Sequence, residues 1–256
     1  MKYLFFLFFI FHISSTGQTI INDTINQYDN GDRKHGKWER KHTKTNNLRY
    51  EGQFHHGNPV GEFRYYYEDG KLRTVTSYSD SGAVCYAVSY FDNGEKHAEG
   101  EYLHRRRNGK WLFYDGYGNI ISEEHYLRGK KHGESITFMP DGQLIEVMNY
   151  SEDKAHGEWK RYYSTGQLHI HGYLKNNNWE GEFKFYSMQG SIFADGLYSG
   201  SLKQGDWRFF DDEGQIIMVI TYKDSQEKEK RIFQKEKTPE YIEMKNTEII
   251  MEKIKK

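Results

Sequence analysis

The sequence has little cysteine, almost no net charge and low overall hydrophobicity. Cys85 is the only cysteine among 256 residues, which excludes an intramolecular disulfide and a cysteine-based zinc site. Lys and Arg number 36 and Asp and Glu 37, so composition gives no case for nucleic acid binding, which requires a basic stripe. The mean hydropathy of −0.94 fits poorly with a thick two-layer core and favours a thin, tyrosine-rich sheet.

Recognisable catalytic motifs are also missing from the sequence. It has no Gly-x-Ser-x-Gly elbow, no phosphate-binding P-loop and no His-Glu-x-x-His motif. The adjacent carboxylates of Asp211 and Asp212 fall in a predicted exposed turn, where no burial activates them for acid–base chemistry. We therefore predict that the protein is not an enzyme and uses no cofactor. The alternative within the enzyme class is a glycan hydrolase with scattered acids in an aromatic groove.

What the sequence does contain is a glycine every 24 residues. Seven glycines keep this interval without a slip: Gly70, Gly94, Gly118, Gly142, Gly166, Gly190 and Gly214. A second series lies nine residues earlier and is interrupted at Cys85: Gly61, Gly109, Gly133, Gly157, Gly181 and Gly205. Self-similarity at a period between about 20 and 50 residues indicates a repeat array.

Each 24-residue unit predicts a β-hairpin. In the unit that begins at Gly157, the extended runs 157–163 and 168–173 flank a turn at Gly166. Glycine supplies the positive φ of a tight hairpin turn, and the unit has no room for the crossover that parallel strands require. The sequence therefore predicts an all-β fold, an elongated, twisted, single-layer antiparallel β-meander whose turn glycines are structural.

One face of the predicted sheet is aromatic. Positions two and four after the leading glycine share a strand face, and they define a candidate aromatic binding face: Trp111, Phe113, Trp159, Phe183, Phe185, Trp207 and Phe209. The opposite face places an acid two residues before a base, as in Glu62 and Arg64, which predicts weak, solvated ion pairs. A single sheet cannot bury both faces. Either coiling closes the aromatic ladder, or a partner or a second copy covers it.

The two edges of the predicted sheet carry opposite charge. The glycine turns are rich in Asp and Glu, whereas the connections on the other edge are rich in Lys and Arg. One interpretation is that the turns carry charged residues because they are exposed to solvent. The sharper hypothesis is that two adjacent connections bind an anionic partner, such as an acidic protein, a lipid headgroup or a surface polysaccharide. This candidate basic edge consists of Arg105, Arg106, Arg107, Arg128, Lys130 and Lys131.

The twelve histidines predict no metal site. His132 and His156 occupy equivalent positions in successive units, so strand spacing places their backbones about 9.5 Å apart. No acid or cysteine recurs beside this pair to complete a zinc site. His169 and His171 share a strand face, a better geometry, but supply only two ligands. We predict structural or turn roles for them.

The two ends of the chain depart from the repeat. Lys2, the apolar run 3–13 and the small residues 15–17 resemble an export signal, which predicts cleavage before Gln18, with an uncleaved anchor or a buried strand as the alternative. The apolar run is shorter than the roughly 20 residues that span a bilayer. We predict export to the periplasm, the cell surface or the medium. The predicted segments are a signal peptide at 1–17, a linker at 18–30, an array at 31–222 of about seven or eight units and a charged cap or tail at 223–256.

The repeat pattern is Gly-(Glu/Lys/Asp)-(Trp/Phe)-x-x-(Tyr/Phe)-x-x-x-Gly-x-(Leu/Ile), preceded by His-Gly at residues 35–36, 132–133 and 156–157. It resembles the MORN repeat, and more closely the bacterial MORN variant of exported repeat proteins and of the YwqK-type antitoxin family. The resemblance covers about residues 31–222, and Ser135 and residues 85–87 depart from it. It implies an elongated β-scaffold that binds proteins or lipids and has no shared catalytic residue.

Together these observations predict an exported, non-enzymatic scaffold. Its partner is an unknown protein, bound through the aromatic face and the charged edges, and self-association is possible on the same face. Binding of an anionic lipid or polysaccharide at the cell envelope is one alternative. Neutralisation of a protein toxin, which the antitoxin resemblance implies, is another. No nucleic acid partner is predicted.

Overall fold

The computed structural model describes residues 24–79 and 82–234. Within these ranges the chain forms 19 strands and no helix, which confirms the predicted all-β fold. The predicted signal peptide and residues 235–256 of the predicted tail lie outside the described residues. A search of the described part for a helix long and apolar enough to cross a membrane finds none.

The strands follow the chain from one end of the sheet to the other. They are β1 (Gln27–Tyr28), β2 (Lys34–Lys41), β3 (Leu48–His55), β4 (Asn58–Tyr66), β5 (Leu72–Tyr78), β6 (Val84–Tyr90), β7 (Lys96–Leu103), β8 (Arg106–Tyr114), β9 (Ile120–Leu127), β10 (Lys130–Phe138), β11 (Leu144–Ser151), β12 (Lys154–Tyr162), β13 (Leu168–Lys175), β14 (Asn178–Trp179), β15 (Gly181–Tyr186), β16 (Ile192–Ser199), β17 (Leu202–Phe210), β18 (Ile216–Lys223) and β19 (Gln226–Ile232).

Each strand pairs antiparallel with the next strand along the chain, except β14 with β15, and all belong to one open sheet. β13 pairs with both β14 and β15, because these two short strands are separated only at Glu180. The main contacts run between neighbouring strands, so the array is quasi-one-dimensional, as the hairpin repeat predicts. The structure also places β1 inside the predicted linker 18–30 and β19 inside the predicted cap 223–256.

The seven turn glycines are confirmed as the hairpin turns of one edge. Their φ angles lie between 78° and 90°, a region that side chains disfavour. In the first of these turns, the Tyr67 N–H donates to the Lys71 carbonyl at 2.8 Å, and the Gly70 N–H donates to the Tyr67 carbonyl at 3.0 Å. The same pair of hydrogen bonds recurs at Phe91 and Gly94.

The second glycine series marks β-bulges. Gly61 and Gly109 both have a φ of 67°, and the register of the preceding strand pair shifts beside each of them. Cys85 takes this place in β6, and there the β5–β6 ladder runs without a shift from Thr74 opposite Ser89 to Tyr78 opposite Cys85. The interruption seen in the sequence is therefore a local change in strand geometry.

The opposite edge differs from the prediction. The segments predicted as connections belong to the strands, which reverse in two-residue turns with positive φ at both positions, the geometry of type I′ turns. Most of these turns contain no glycine, so their sequence signal is weak. The turn pairs are His56-Gly57, His104-Arg105, Arg128-Gly129, Glu152-Asp153, Asn176-Asn177, Gly200-Ser201 and Asp224-Ser225.

Hydrogen bonds tie successive hairpins together at this edge. The Asn177 N–H donates to the Ala155 carbonyl at 2.9 Å, and the Asn177 side-chain oxygen accepts from the Ala155 N–H at 2.7 Å. Asp153 makes the same pair of contacts with Lys131. Because Asn and Asp tolerate the left-handed region, one side chain fits the turn and satisfies the neighbouring hairpin.

The core consists of aromatic rings that lie over glycines of the preceding strand. Trp111 of β8 is directly opposite Gly100 of β7, and a Cβ added at Gly100 would lie 2.5 Å from the indole. The same arrangement joins Gly52 to Phe63, Gly172 to Phe183 and Gly196 to Trp207. One large cluster of buried residues extends from Ala155 to Ile220, and a smaller one contains Ala98, Trp111 and Tyr126.

Candidate functional site

The predicted aromatic binding face lies in the interior of the array. Six of its seven residues are at most 3% exposed, and Phe113 is half-buried. Their rings pack on each other and on the strand glycines, as in the 6.1 Å contact between Trp159 and Phe183. These side chains therefore do not present an open surface to a partner, which corrects their assignment as a binding face.

Cationic side chains cover part of this aromatic interior. The Arg107 guanidinium lies 4.8 Å from the centroid of Trp111 and 5.2 Å from that of Tyr126, and Lys203 lies 4.8 Å from Trp207. Lys131 lies 5.2 Å from Tyr150. Such stacking buries the side-chain stem and adds a cation–π attraction. Two residues of the predicted basic edge, Arg107 and Lys131, thus point onto the sheet.

Ion pairs and hydrogen bonds engage half of the predicted basic edge. Lys130 Nζ lies 2.6 Å from Glu152, and Lys131 Nζ lies 2.7 Å from Glu124. Arg107 donates to the Tyr126 hydroxyl at 3.0 Å. The Glu152 carboxylate raises the pKa of Lys130. Lys130, Lys131 and Arg107 are therefore already bound by other side chains of the protein.

The other half, which we call the arginine edge, comprises Arg105, Arg106 and Arg128. All three are exposed, and no described carboxylate lies within 4.0 Å of any of them. The two hairpin ends are adjacent, since the Gly129 N–H donates to the Arg107 carbonyl at 2.8 Å. A Cβ added at Gly129 would lie 3.3 Å from that of Arg106. The structure therefore brings together three arginines that have no acidic counterpart among the residues it describes.

Arg105 has an unusual backbone. It occupies the second position of a type I′ turn with a φ of 63°, preceded by His104 at 49°. Left-handed backbone costs a non-glycine residue free energy, and such strain concentrates at functional positions. In the equivalent turns this position is held by residues that tolerate or use the geometry, such as Asn177 and Gly129.

Acids of the glycine edge have local structural partners. Asp115 Oδ1 accepts from the N–H groups of Tyr117 and Asn119 at 2.9 and 3.0 Å, and its hydrogen bond with the Asn119 side chain lowers its pKa. Asp69 accepts from the Lys71 N–H at 3.0 Å, and this bond lowers the pKa of Asp69. These carboxylates stabilise the turns in which they lie.

The opposite, polar face contains some of the predicted ion pairs. Arg64 Nε lies 2.7 Å from Glu62, and Lys160 Nζ lies 2.8 Å from Glu158, as predicted. Arg208, which the same pattern pairs with Asp206, instead forms a two-pronged pair with Asp195 at 2.8 and 2.6 Å. The reason is that these two residues are directly opposite each other in β16 and β17.

The aromatic ladder is interrupted at two positions. Ala87 and Ser135 occupy the register that Phe63 and Trp111 occupy in regular units, and both lie at the departures from the repeat. The residues opposite them are Thr76 and Glu124, where regular units have glycine. These two positions flank the small cluster around Trp111 and separate it from its neighbours.

A cavity of ≈ 390 Å³, which we call the cavity beside Ala87, is lined by Thr76, the residue directly opposite Ala87 in the β5–β6 ladder. Its walls include Tyr65, Thr76, Tyr78, Cys85, Tyr102 and Arg105. Thr76 and Cys85 are only 7% and 8% exposed, and within the described residues Thr76 Oγ1 makes no hydrogen bond of normal geometry, with the Tyr65 hydroxyl as its near neighbour. Burial raises the pKa of the Cys85 thiol and of the Tyr65 hydroxyl, so both groups are neutral at pH 7. The sequence marked this place only as an interruption of the repeat.

The histidines singled out in the sequence have structural or exposed positions. His169 is buried and stacks on Tyr163 with ring centroids 4.1 Å apart, and burial lowers its pKa from 6.5 to about 4. His171 Nε2 lies 2.9 Å from Glu158. His132 and His156 are exposed at the turn edge.

A different group of metal-ligating residues meets near β1. Asp29, His35 and His56 bring their ligand atoms within 4.8 Å of one another. The hydrogen bond from His56, at 2.5 Å, holds the pKa of Asp29 well below its usual range. Arg33 Nε donates to the same carboxylate at 3.0 Å, and the Arg33 guanidinium lies 3.3 Å from His56 Nδ1. This network ties the β1–β2 turn to the turn at His56, and a nearby guanidinium disfavours a cation there.

Comparison with protein families finds the MORN repeat variant at three places, residues 59–80, 155–176 and 203–224. Comparison with curated proteins finds no match. Two solved structures are weakly similar. One is a mutant of S. aureus TarM in complex with fondaparinux, α-GlcNAc-glycerol and UDP, at 11% identity and a TM-score of 0.29 over 38% of this chain and 19% of that chain. The other is TcdB2-TccC3-TEV, at 12% identity and a TM-score of 0.21 over 75% and 12%. With TM-scores this low, neither structure supports a conclusion about this chain.

Proposed function

Because the chain is a MORN-repeat protein, we propose that it is an exported, non-enzymatic scaffold that binds an acidic partner protein through its arginine edge. The observation that supports the proposal most is the local excess of positive charge. Arg105, Arg106 and Arg128 lie on two adjacent hairpin ends without a described carboxylate within 4.0 Å.

The chemistry of the arginine edge favours carboxylates. A guanidinium is always charged, and its planar fork binds a carboxylate through two parallel hydrogen bonds. Leu127, beside Arg128, is 43% exposed, so the edge combines charge with apolar area. Apolar area surrounded by arginine is typical of protein interfaces. An acidic protein surface with an apolar centre is therefore the partner that fits best.

Export is the second part of the proposal and rests on residues 1–17. Their short basic start, apolar run and small residues before Gln18 are those of a secretory signal. Sequencing the N-terminus of the protein from its native host tests this directly. We expect the mature chain to begin at Gln18 and to be found outside the cytoplasm. A cytoplasmic chain that retains Met1 would contradict export and favour the antitoxin alternative.

Binding through the arginine edge is tested with charge-matched variants. We expect wild-type protein, immobilised and exposed to native-host extract, to retain a small set of acidic proteins that salt releases, because Coulomb attraction is screened. The triple variant Arg105→Ser, Arg106→Ser and Arg128→Ser should lose them. The control variant Lys44→Ser, Lys154→Ser and Lys175→Ser removes the same charge from exposed positions elsewhere and should retain them.

Anionic vesicles distinguish the lipid alternative in the same assay. Vesicles of phosphatidylglycerol and phosphatidylcholine should bind the wild-type and both variants equally weakly if the partner is a protein. Binding of the vesicles that only the arginine variant loses would instead assign the edge to the membrane surface. Retention of the same proteins by the arginine variant would contradict the proposed site.

A further inference from the structure

We propose that the cavity beside Ala87 binds a planar aromatic ring that carries, or lies next to, a carboxylate. Such a ring could arrive as a small aromatic acid or as the side chain of a protein. The inference goes beyond the proposed function, since the cavity is built by the aromatic ladder and would bind its ligand whether or not the arginine edge has a protein partner.

The repeat geometry identifies the cavity as the place of a missing ring. In the regular unit the ring of Phe63 has four aromatic neighbours with centroids between 5.1 and 6.5 Å away, namely Tyr50, Phe54, Tyr65 and Tyr78. Twenty-four residues later the equivalent positions are Thr74, Tyr78, Ser89 and Tyr102. Three of these, Thr74, Tyr78 and Tyr102, line the cavity. The chain thus builds the surroundings of a ring and places Ala87 where the ring would originate.

The position that covers the aromatic face is also small in this unit. Arg107, Lys131 and Lys203 lie over rings and occupy the same position of their repeat units. Ala83, which is 24 residues before Arg107, occupies this position in its own unit. Ala83 lines the cavity. At Ala155, another alanine at this position of its unit, Trp179 stacks on Trp159 at 6.2 Å. In the unit of Ala87, therefore, alanine replaces both the aromatic residue of the ladder and the side chain that covers it.

The second interruption of the ladder shows what a filled gap looks like. Opposite Ser135, the Glu124 carboxylate accepts a hydrogen bond from the Tyr126 hydroxyl and pairs with Lys131 at 2.7 Å. Side chains of the chain itself therefore satisfy that gap. Opposite Ala87, by contrast, the buried Thr76 hydroxyl makes no hydrogen bond of normal geometry within the described chain and has the Tyr65 hydroxyl as its near neighbour. A buried hydroxyl without a hydrogen bond of normal geometry costs free energy, which a polar atom of a ligand would recover.

The polar groups around the cavity specify the ligand further. Tyr78 and Tyr102 offer ring edges and faces for an aromatic group, the arrangement that Phe63 has with Tyr78 at 5.3 Å and Trp111 with Tyr102 at 4.9 Å. Arg105 lies at the wall and has no described carboxylate partner. The volume of ≈ 390 Å³ lies within the range of small-ligand sites. A ring between the tyrosines and an acid at Arg105 use all of these groups.

Direct binding measurements test the site with defined probes. Phenylacetate represents the free acid, N-acetyl-Asp-Phe-Asp-amide represents a protein side chain, and phenylacetamide is the neutral match of the first. Saturation-transfer NMR and titration calorimetry on the full chain report binding. We expect one of the acidic probes to bind and phenylacetamide to bind about tenfold more weakly, because it loses the charged pair with Arg105. The same probe should slow alkylation of Cys85, the only cysteine, by iodoacetamide.

Filling the cavity from within provides the critical variant. Thr76→Gly with Ala87→Trp recreates the Gly100–Trp111 pair and should abolish probe binding while raising the melting temperature. Tyr117→Trp adds a tryptophan at an 89% exposed turn and should change neither. If the double variant fails to fold, Thr76→Met, which copies the Met148–Trp159 register, fills the cavity floor instead. Binding by the peptide alone assigns the site to a protein ligand, and binding by phenylacetate shows that a small acid suffices. Binding by neither probe, or equal binding in a folded, filled variant, would overturn the proposal.

Discussion

Trp111 lies directly opposite Gly100, and its indole ring occupies the space where a side chain at Gly100 would begin. This relationship explains how a single-layer sheet buries its aromatic face. In four units a ring folds across the neighbouring strand and fills the space above a glycine: Phe63 over Gly52, Trp111 over Gly100, Phe183 over Gly172 and Trp207 over Gly196. The glycines of the second hairpin strand are therefore as much a part of the core as the rings.

Replacement of Gly100 by alanine should destabilise the array. The added Cβ would lie 2.5 Å from the Trp111 ring, which forces the ring from its position, and overpacking of this kind costs about 1–3 kcal/mol. Urea unfolding of Gly100→Ala should show a lower midpoint with an unchanged slope. Gly116→Ala is the control, because its Cβ would meet only the Asn93 side chain at 3.9 Å and its φ is not in the left-handed region. Equal stability of the two variants would contradict this packing.

Acid should destabilise the protein through His169. Its pKa in the folded state is about 4, against 6.5 for the ordinary side chain, so between these values the unfolded chain binds more protons than the folded chain. Stability from this residue is therefore complete above pH 6.5 and is lost as the pH falls towards 4, by at most about 3 kcal/mol. His169→Phe keeps a ring against Tyr163 and should flatten this part of the pH profile in chemical unfolding. A profile identical to that of the wild type would show that His169 is not buried as a neutral ring.

Arg105→Gly should make the protein more stable and a weaker binder. Glycine relieves the left-handed backbone at φ 63°, for a gain of about 1 kcal/mol, while the guanidinium of the arginine edge is removed. Thermal unfolding and the retention assay measure the two effects on one variant. Arg128→Gly, at φ 53° in the neighbouring turn, should behave in the same direction. A less stable Arg105→Gly variant would indicate that the arginine side chain itself holds the turn.

The side-chain clamp between successive turns should contribute measurably to stability. Asn177→Gly keeps a residue that accepts positive φ but removes the acceptor for the Ala155 N–H, which lies 2.7 Å away. We expect a loss of about 1 kcal/mol in chemical unfolding. Asn177→Asp retains the acceptor, as Asp153 does in the preceding turn, and should stay close to the wild type. The clamp would have no energetic role if both variants matched the wild type.

Much of the fold can be predicted from the sequence because glycine marks the positions where the backbone has a positive φ. Gly70 and its equivalents require positive φ, and their strict interval fixes the hairpin and its antiparallel pairing. The type I′ turns could not be read in the same way, since residues such as Glu152 and Arg128 adopt left-handed backbone without a distinctive signal. The strands consequently begin earlier than predicted, at Arg106 instead of Gly109.

The earlier start of the strands determines which face of the sheet the basic side chains lie on. Once Arg107 belongs to a strand, alternation places it on the same face as Trp111, and it covers the aromatic layer. The prediction treated Arg107 and Lys131 as connections, whereas the structure engages Arg107 with Trp111 and Tyr126 and Lys131 with Glu124. Among the six residues of the predicted basic edge, Arg105, Arg106 and Arg128 have no described carboxylate within 4.0 Å and no such side-chain contact. The cavity beside Ala87 could not be predicted, because sequence alone does not tell whether a missing ring is replaced by a neighbouring side chain.

Hydrogen–deuterium exchange of the complex with the retained acidic protein tests most directly where the scaffold binds. We predict protection of backbone amides in peptides that cover residues 103–107 and 127–131, with the arginine edge at their centre, and unchanged exchange in β15–β18. Protection confined to the regular aromatic ladder around Phe183 and Trp207, with no change at the two arginine-bearing turns, would contradict the account.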